Sequence, residues 1–368
     1  MPSRRRPPGP MTSESVQPNG TGFRFSEGGW VLVVAFLFAL AIAAWALAPA
    51  VFRMVQRPPG DGTTIESYLF DTSNPTIDLD LVEPAMLHRD MVPVMTDPVI
   101  LTMDEIVERN SERKTRYLVP SDLVIGVEHN GESRAYPLSV LNVHEVVHDV
   151  LGGDPILVSW HWPSASARAM VRHDPGQQFR VSGLVAGGNG LLYIPNDQPP
   201  VGGETLYSQM LAAPVAGDTS RPTFVTIPHQ FSRWDDWSKR NPRSTAIAPD
   251  PGLKKRYKKS SPFTYYEHEQ LMFPRLATTG GPSAKTWITL VQHNGQRAAW
   301  AWPWLQANAE GGTVLQSLGD LQIRFEVSRN PDTVRVFDNE SNAPLDAVHG
   351  LWYSLRSLYG PLGDALSH

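Results

Sequence analysis

The stretch His144-Glu145-Val146-Val147-His148 has the H-E-x-x-H pattern. On a helix, two histidines four residues apart face the same way and can share one zinc ion, while the glutamate polarises a metal-bound water. That chemistry is hydrolysis, with Glu145 as its base. Trp160-His161-Trp162-Pro163 adds a histidine between two large aromatics, suited to metal ligation or general-base work in a low-dielectric pocket. A histidine hydrogen-bonded inside an aromatic core explains the same residues. The zinc pattern is incomplete: no third histidine follows at metzincin spacing, and Leu151 stands where that motif has glycine. The chain has no cysteine, which removes disulfides, thiolate ligands, iron–sulfur clusters and cysteine nucleophiles. No G-x-S-x-G elbow is present, and Gly187-Gly188-Asn189-Gly190 lacks the lysine of a P-loop. Trp234, Trp237, Trp300, Trp302, Trp304 and Trp352 suit a core, with a sugar-stacking face as the alternative.

These groups need elements to hold them, and Leu123–Arg172 supplies them in quick succession. Val124, Ile125 and Val127 predict a strand. Asn130-Gly131 is a hairpin turn, and Arg134-Ala135-Tyr136 is the return strand. Pro137 suits a first helical turn and Gly152 a helix stop. Between them, Val140, Val143, Val146, Val147, Val150 and Leu151 form one helical face. His144 and His148 border that face; Glu145 and Asp149 lie further round, toward solvent. Ile156-Leu157-Val158 is a strand leading into His161. Elsewhere, Ile77–Leu81 alternates as a strand, and its aspartates Asp78 and Asp80 read as an exposed strand face. Thr102 and Glu105 form a capping box. Gly183–Gly190 is a glycine-rich loop, and Lys254–Lys259 a basic, solvated loop.

Val127-Glu128-His129-Asn130-Gly131 returns as Val291-Gln292-His293-Asn294-Gly295. The second copy is slightly longer before Pro303 and lacks the His-Glu pair. Both copies continue through Gly-Asp into an apolar strand. Two related hairpin–helix–strand modules follow from this, a duplicated scaffold with the chemistry kept in the first copy.

Composition bounds the setting. Over 368 residues, 41% are hydrophobic and the net charge is −5, so a folded core is expected and nucleic-acid binding is not. Trp30–Val51 carries no charge and is long enough to cross a bilayer. Arg4, Arg5, Arg6 and Arg24 precede it, which favours a cytoplasmic N-terminus, although Arg53 and Arg57 follow. A signal peptide cleaved after Ala46-Leu47-Ala48 is the rival reading; the span exceeds the usual signal core. The expected organisation is a disordered tail (1–28), a transmembrane helix (29–52) and a linker with an extended arm (53–90). A main domain (91–280) and a C-terminal module (281–368) follow. The fold class is α+β and β-rich.

The segments Gly126-Val127-Glu128, Arg134-Ala135-Tyr136-Pro137-Leu138, Asn142-Val143-His144-Glu145 and Leu206-Tyr207-Ser208-Gln209 together resemble the domain of unknown function 3179 family. Phe179-Arg180-Val181-Ser182-Gly183 and Asn241-Pro242 after the Trp234–Trp237 helix fit it too. Members typically carry asparagine, an aromatic and His-Glu, then a strand ending in Tyr-Cys-Pro-x-Cys. Here the two cysteine positions fall on His161 and Ser164, so the dithiol chemistry that the resemblance implies is lost. The family position of His148 is usually not histidine. Two readings stand ahead of the zinc hydrolase on His144-Glu145-x-x-His148, which is the third. In one, His161 replaces a thiolate and joins His144, with His148 as a further candidate, to bind copper or zinc at the cell envelope. In the other, the site has lapsed and the fold is a non-catalytic binding or structural module.

Overall fold

The computed structural model describes residues 29–55, 58–111, 117–196, 201–257, 262–275, 281–329 and 332–362. They fall into two units that divide between Arg57 and Pro58. In the first unit, α1 (Gly29–Val55) is a 27-residue helix, and at about 1.5 Å per residue it outspans a hydrocarbon core of ~30 Å. Its uncharged part, Gly29–Ala48, has a mean hydropathy of 2.8. The tail expected over 1–28 lies outside the described residues.

The second unit begins with an irregular arm. Ile77–Leu81 is not a strand. The Asp78 carboxylate accepts from Asp80 N at 2.9 Å and winds a 3₁₀ turn over Leu79–Leu81. Strand β1 (Val82–Pro84) starts only afterwards, followed by β2 (Met95–Thr96) and β3 (Ile100–Leu101). Helix α2 (Met103–Ser111) has the expected capping box: Thr102 N donates to Glu105 Oε2 at 2.7 Å, and Glu105 N to Thr102 Oγ1 at 3.3 Å.

Then comes the hairpin of β4 (Leu123–His129) and β5 (Glu132–Pro137). Its turn residues Asn130 and Gly131 have φ of 47° and 83°, both positive as a type I′ turn requires. Helix α3 (Leu138–His144) follows but stops at His144. The expected continuation to Gly152 is instead the strand β6 (Val146–Leu151). β-Branched valines at 146, 147 and 150 suit a pleated strand as well as a helical stripe. The glycine read as a helix stop opens a two-residue turn: Gly152 and Gly153 have φ of 59° and 84°. It leads into β7 (Asp154–His161) and β8 (Ser166–Val171), completing an antiparallel meander. Glu145 and Asp149, expected toward solvent, are both buried.

The glycine-rich stretch 183–190 is likewise no loop. It is the tight hairpin joining β9 (Arg180–Ala186) to β10 (Asn189–Tyr193) through Gly187 and Gly188. Strands β11 (Leu206–Ser208) and β12 (Ala213–Ala216) extend that sheet, which β1 borders. Next are β13 (Val225–Ile227), β14 (His229–Arg233), α4 (Trp234–Arg240) and β15 (Thr245–Ile247). The basic stretch expected as a loop is helical over its described part, α5 (Lys254–Tyr257). A short α6 (Phe263–Glu267) precedes the second copy.

That copy consists of β16 (Trp287–His293), β17 (Gln296–Ala301), α7 (Trp302–Asn308), β18 (Thr313–Leu318), β19 (Leu321–Ser328) and β20 (Thr333–Asp338). It closes with β21 (Ala347–Leu351) and α8 (Trp352–Tyr359). Registers identify the equivalents. Val124 pairs with Pro137 as Ile288 pairs with Ala301, so the hairpins match without a gap. His129 meets Asp154 at 2.7 Å, and His293 meets Asp320 at 3.0 Å. The extra length of the second copy is not before Pro303. It lies after the helix, where four residues link α7 to β18 and one residue links α3 to β6.

The repeat is also larger than the sequence suggested. β14 pairs with β4 as β21 pairs with β16, and each closing strand runs into a helix that starts with tryptophan, Trp234 or Trp352. Each closing strand packs on the other copy: β14 on β20, β21 on β8. One apolar core consequently contains Ile125, Trp160 and Phe231 together with Val291, Trp302 and Phe325.

Gly126 lies against the buried ring of Trp237, where a Cβ would fall 2.2 Å from Cε3. Gly126→Ala is therefore expected to cost about 2–3 kcal/mol through overpacking, seen as a lower urea midpoint with an unchanged m-value.

Candidate functional site

His144 ends α3. Its Nδ1 donates to the Pro93 carbonyl at 2.8 Å, and Nε2 accepts from the Tyr257 hydroxyl at 2.7 Å. Burial lowers its pKa. His148 lies within β6, fully buried. Its Nε2 accepts from Phe179 N at 2.9 Å, which leaves Nδ1 to donate to Thr96 Oγ1 at 3.3 Å. Burial pushes its pKa down to about 4. Both nitrogens of both rings are thus engaged. The helical geometry of H-E-x-x-H is absent, because the chain leaves the helix between the two histidines.

His161 ends β7. Its Nδ1 meets Ser164 Oγ at 2.8 Å, and its ring lies on Gly190, where a Cβ would sit 2.8 Å from Cδ2. Ser164 is held in turn by Asn189 Nδ2, whose two N–H groups are shared among Ser164 Oγ at 2.9 Å, Ser166 Oγ at 2.8 Å and Gln209 Oε1 at 2.9 Å. This network is buried throughout, so Ser164 orients the imidazole and is no nucleophile for an outside substrate. Burial lowers the His161 pKa to about 3. The two positions where the resemblance places a cysteine pair are therefore in contact. Among the described residues no group of three His, Cys, Asp or Glu side chains is arranged to hold a metal ion.

Glu145 is the one-residue link between α3 and β6. Such a short link forces the left-handed region, φ 57°, on a residue with a Cβ, at a cost of about 1–2 kcal/mol. At the matching exit from α7, Ala309 has an ordinary φ of −77° and the longer link absorbs the turn. The Glu145 carboxyl is buried without a hydrogen-bond partner among the described residues. Burial raises its pKa to about 8, so at neutral pH it is mostly a protonated acid and a poor base.

A second site was not legible as a motif. A cleft of about 430 Å³ opens where the two copies meet. Leu123, Leu138 and Asn142 of the first copy line it with Trp287, Trp302 and Gln306 of the second. These are equivalents, pair by pair, under the register that matches Val124 with Ile288. Trp160 and Phe231 complete its aromatic wall, and Asn142 Oδ1 accepts from Trp160 Nε1 at 2.8 Å. Trp287 stacks on Trp302 at 4.6 Å, and Phe231 packs on both, at 5.4 and 5.7 Å. Of the tryptophans read as core, Trp234, Trp237, Trp300 and Trp352 are buried, while Trp302 is both core and cleft wall. The repeat was the one sequence signal that could have found this cleft, since three of its lining positions in one copy have their equivalents in the other.

A family model described as a protein of unknown function (DUF3179) matches residues 89–349. No curated protein and no solved structure matches the chain.

Replacing Glu145 tests its burial. The unfolded chain releases this proton near the ordinary 4.5, the folded chain only near 8. Stability from this group is full below pH 4.5 and is lost as pH rises through 8. Glu145→Gln should therefore gain on the wild type by up to about 1.4 kcal/mol per pH unit between pH 5 and 8. Urea midpoints across that range check it.

Proposed function

We propose a binding function for this chain, which belongs to the DUF3179 family: a single-pass membrane protein whose second unit is an extracytoplasmic, non-catalytic binding module. The observation that carries the reading is the aromatic cleft between the copies. Its volume, about 430 Å³, and its largely apolar wall with a few polar groups are those of a small-molecule site. The arginines ahead of α1 support a cytoplasmic N-terminus.

Copper or zinc held by His144, His148 and His161, and hydrolysis with Glu145 as base, have less behind them. A ligating histidine needs a nitrogen to give, and those of His144 and His148 are already hydrogen-bonded. Glu145 holds a proton where the hydrolytic reading needs a base.

The neutral dye phenylnaphthylamine should bind residues 58–368 saturably, with enhanced fluorescence. Gln306→Trp, which fills the cleft from a half-buried helix position, should weaken uptake by about tenfold or more (~1.4 kcal/mol) without moving the thermal midpoint. Uptake indifferent to that substitution would sink the reading.

Orientation has a separate check. With no native cysteine, Ser283→Cys in the exposed segment before β16 gives one thiol. In intact cells an impermeant maleimide should label it; labelling only after lysis would reverse the topology.

A further inference from the structure

We infer that the ligand of this cleft carries an alkylammonium head on an apolar body, a choline-like quaternary ammonium being its simplest form. The inference rests on the cleft being a binding site and specifies what enters it. Three observations point to positive charge. First, the wall is a continuous set of rings. Trp287 and Tyr266, both half-buried with ring centroids 5.7 Å apart, offer ring surface to the cleft, and the buried Trp302 and Phe231 back Trp287 at 4.6 and 5.4 Å. Aromatic faces are negative and attract cations, above all alkylated ones that ask for no hydrogen bonds. Second, two lining side chains are exposed carboxylates, Glu267 and Asp332, and neither is engaged by another group among the described residues. Third, the one lining cation among the described residues is already occupied. Lys285 Nζ donates to the carbonyls of Tyr265, at 2.6 Å, and His268, and sits 3.5 Å from the centroid of the Tyr265 ring. The protein itself thus seats an ammonium on an aromatic face beside the cleft.

Among the described residues the lining charge is two carboxylates against one ammonium, a net of −1. An anionic ligand would meet those carboxylates with no uncommitted lining cation among the described residues to answer them. A neutral sugar would use the amides of Asn142 and Gln306 but leave the carboxylate pair without a charge partner.

The test uses the full chain in nanodiscs of phosphatidylglycerol, which carry no amine head group. Choline and its neutral carbon isostere, dimethylbutanol, are titrated calorimetrically. Choline should bind about tenfold more tightly or better (~1.4 kcal/mol). The double substitution Glu267→Gln, Asp332→Asn should reduce that preference several-fold and leave the affinity for dimethylbutanol unchanged. Equal affinities in the wild type, or a preference that the double substitution leaves undiminished, overturn the inference. Failure of both ligands while phenylnaphthylamine still binds also overturns it and spares the cleft; loss of dye binding as well removes the cleft reading itself. Repeating the titration in phosphatidylcholine separates the sources. A lipid head group as occupant suppresses the choline signal, and a free small molecule leaves it intact; either supports the ammonium chemistry.

Discussion

Arg168 on β8 and Arg335 on β20 occupy matching places in the third strand of each copy's meander, β6–β8 and β18–β20, opposite Ser159 and Glu326. Both are buried, and both reach out of their own copy. Arg168 holds Asp346, just ahead of β21, at 3.0 Å, while Arg335 reaches Ser232 at 3.3 Å and Asp236 at 3.8 Å around β14 and α4. This reciprocal grip requires each copy to be finished by the other. A buried guanidinium adds little net stability, because desolvation offsets its attraction, but leaving it unpaired is costly. A misplaced β21 would strand Arg168 in the core, whereas Arg335 would keep Glu326 of its own copy at 3.1 Å; the first contact thus selects the arrangement in which the closing strands cross over. The shared core and the cleft follow from it.

The copies differ where the chemistry was expected. One residue joins α3 to β6 and four join α7 to β18, so the first copy alone stores strain at its helix exit. That exit carries Glu145, a buried acid with no side-chain hydrogen bond among the described residues, where an alanine serves in the second copy. Strain and an unpaired carboxyl on one residue cluster at functional positions more often than elsewhere. The duplicate shows that the fold does not need them. The neighbouring histidines contribute differently. His148 satisfies a backbone amide inside the core, and His161 anchors a network of hydroxyls and amides that joins β7 to β10.

The cleft draws on the same asymmetry. Equivalent positions hold leucine in one copy and tryptophan in the other, at 123 and 287 and again at 138 and 302. Large rings on one side and small aliphatic groups on the other leave room between them, whereas two leucines or two tryptophans would close or overfill the junction.

Read alone, the residues determined what depends on neighbours in sequence. Asn130-Gly131 demanded its turn, Thr102 and Glu105 capped their helix, the uncharged span after Gly29 made a helix, and the repeated His-Asn-Gly announced the duplication. They did not determine the path at Glu145. The valines that follow satisfy a helical stripe and a strand equally, and Gly152 suits a helix stop and a hairpin turn alike. Only pairing of β6 with β7 decided between them, since it satisfies backbone groups that a longer helix would take away from the sheet. Tertiary structure alone also decided the cleft. Its walls come from positions far apart in the chain, brought together because neither copy can bury its apolar face without the other.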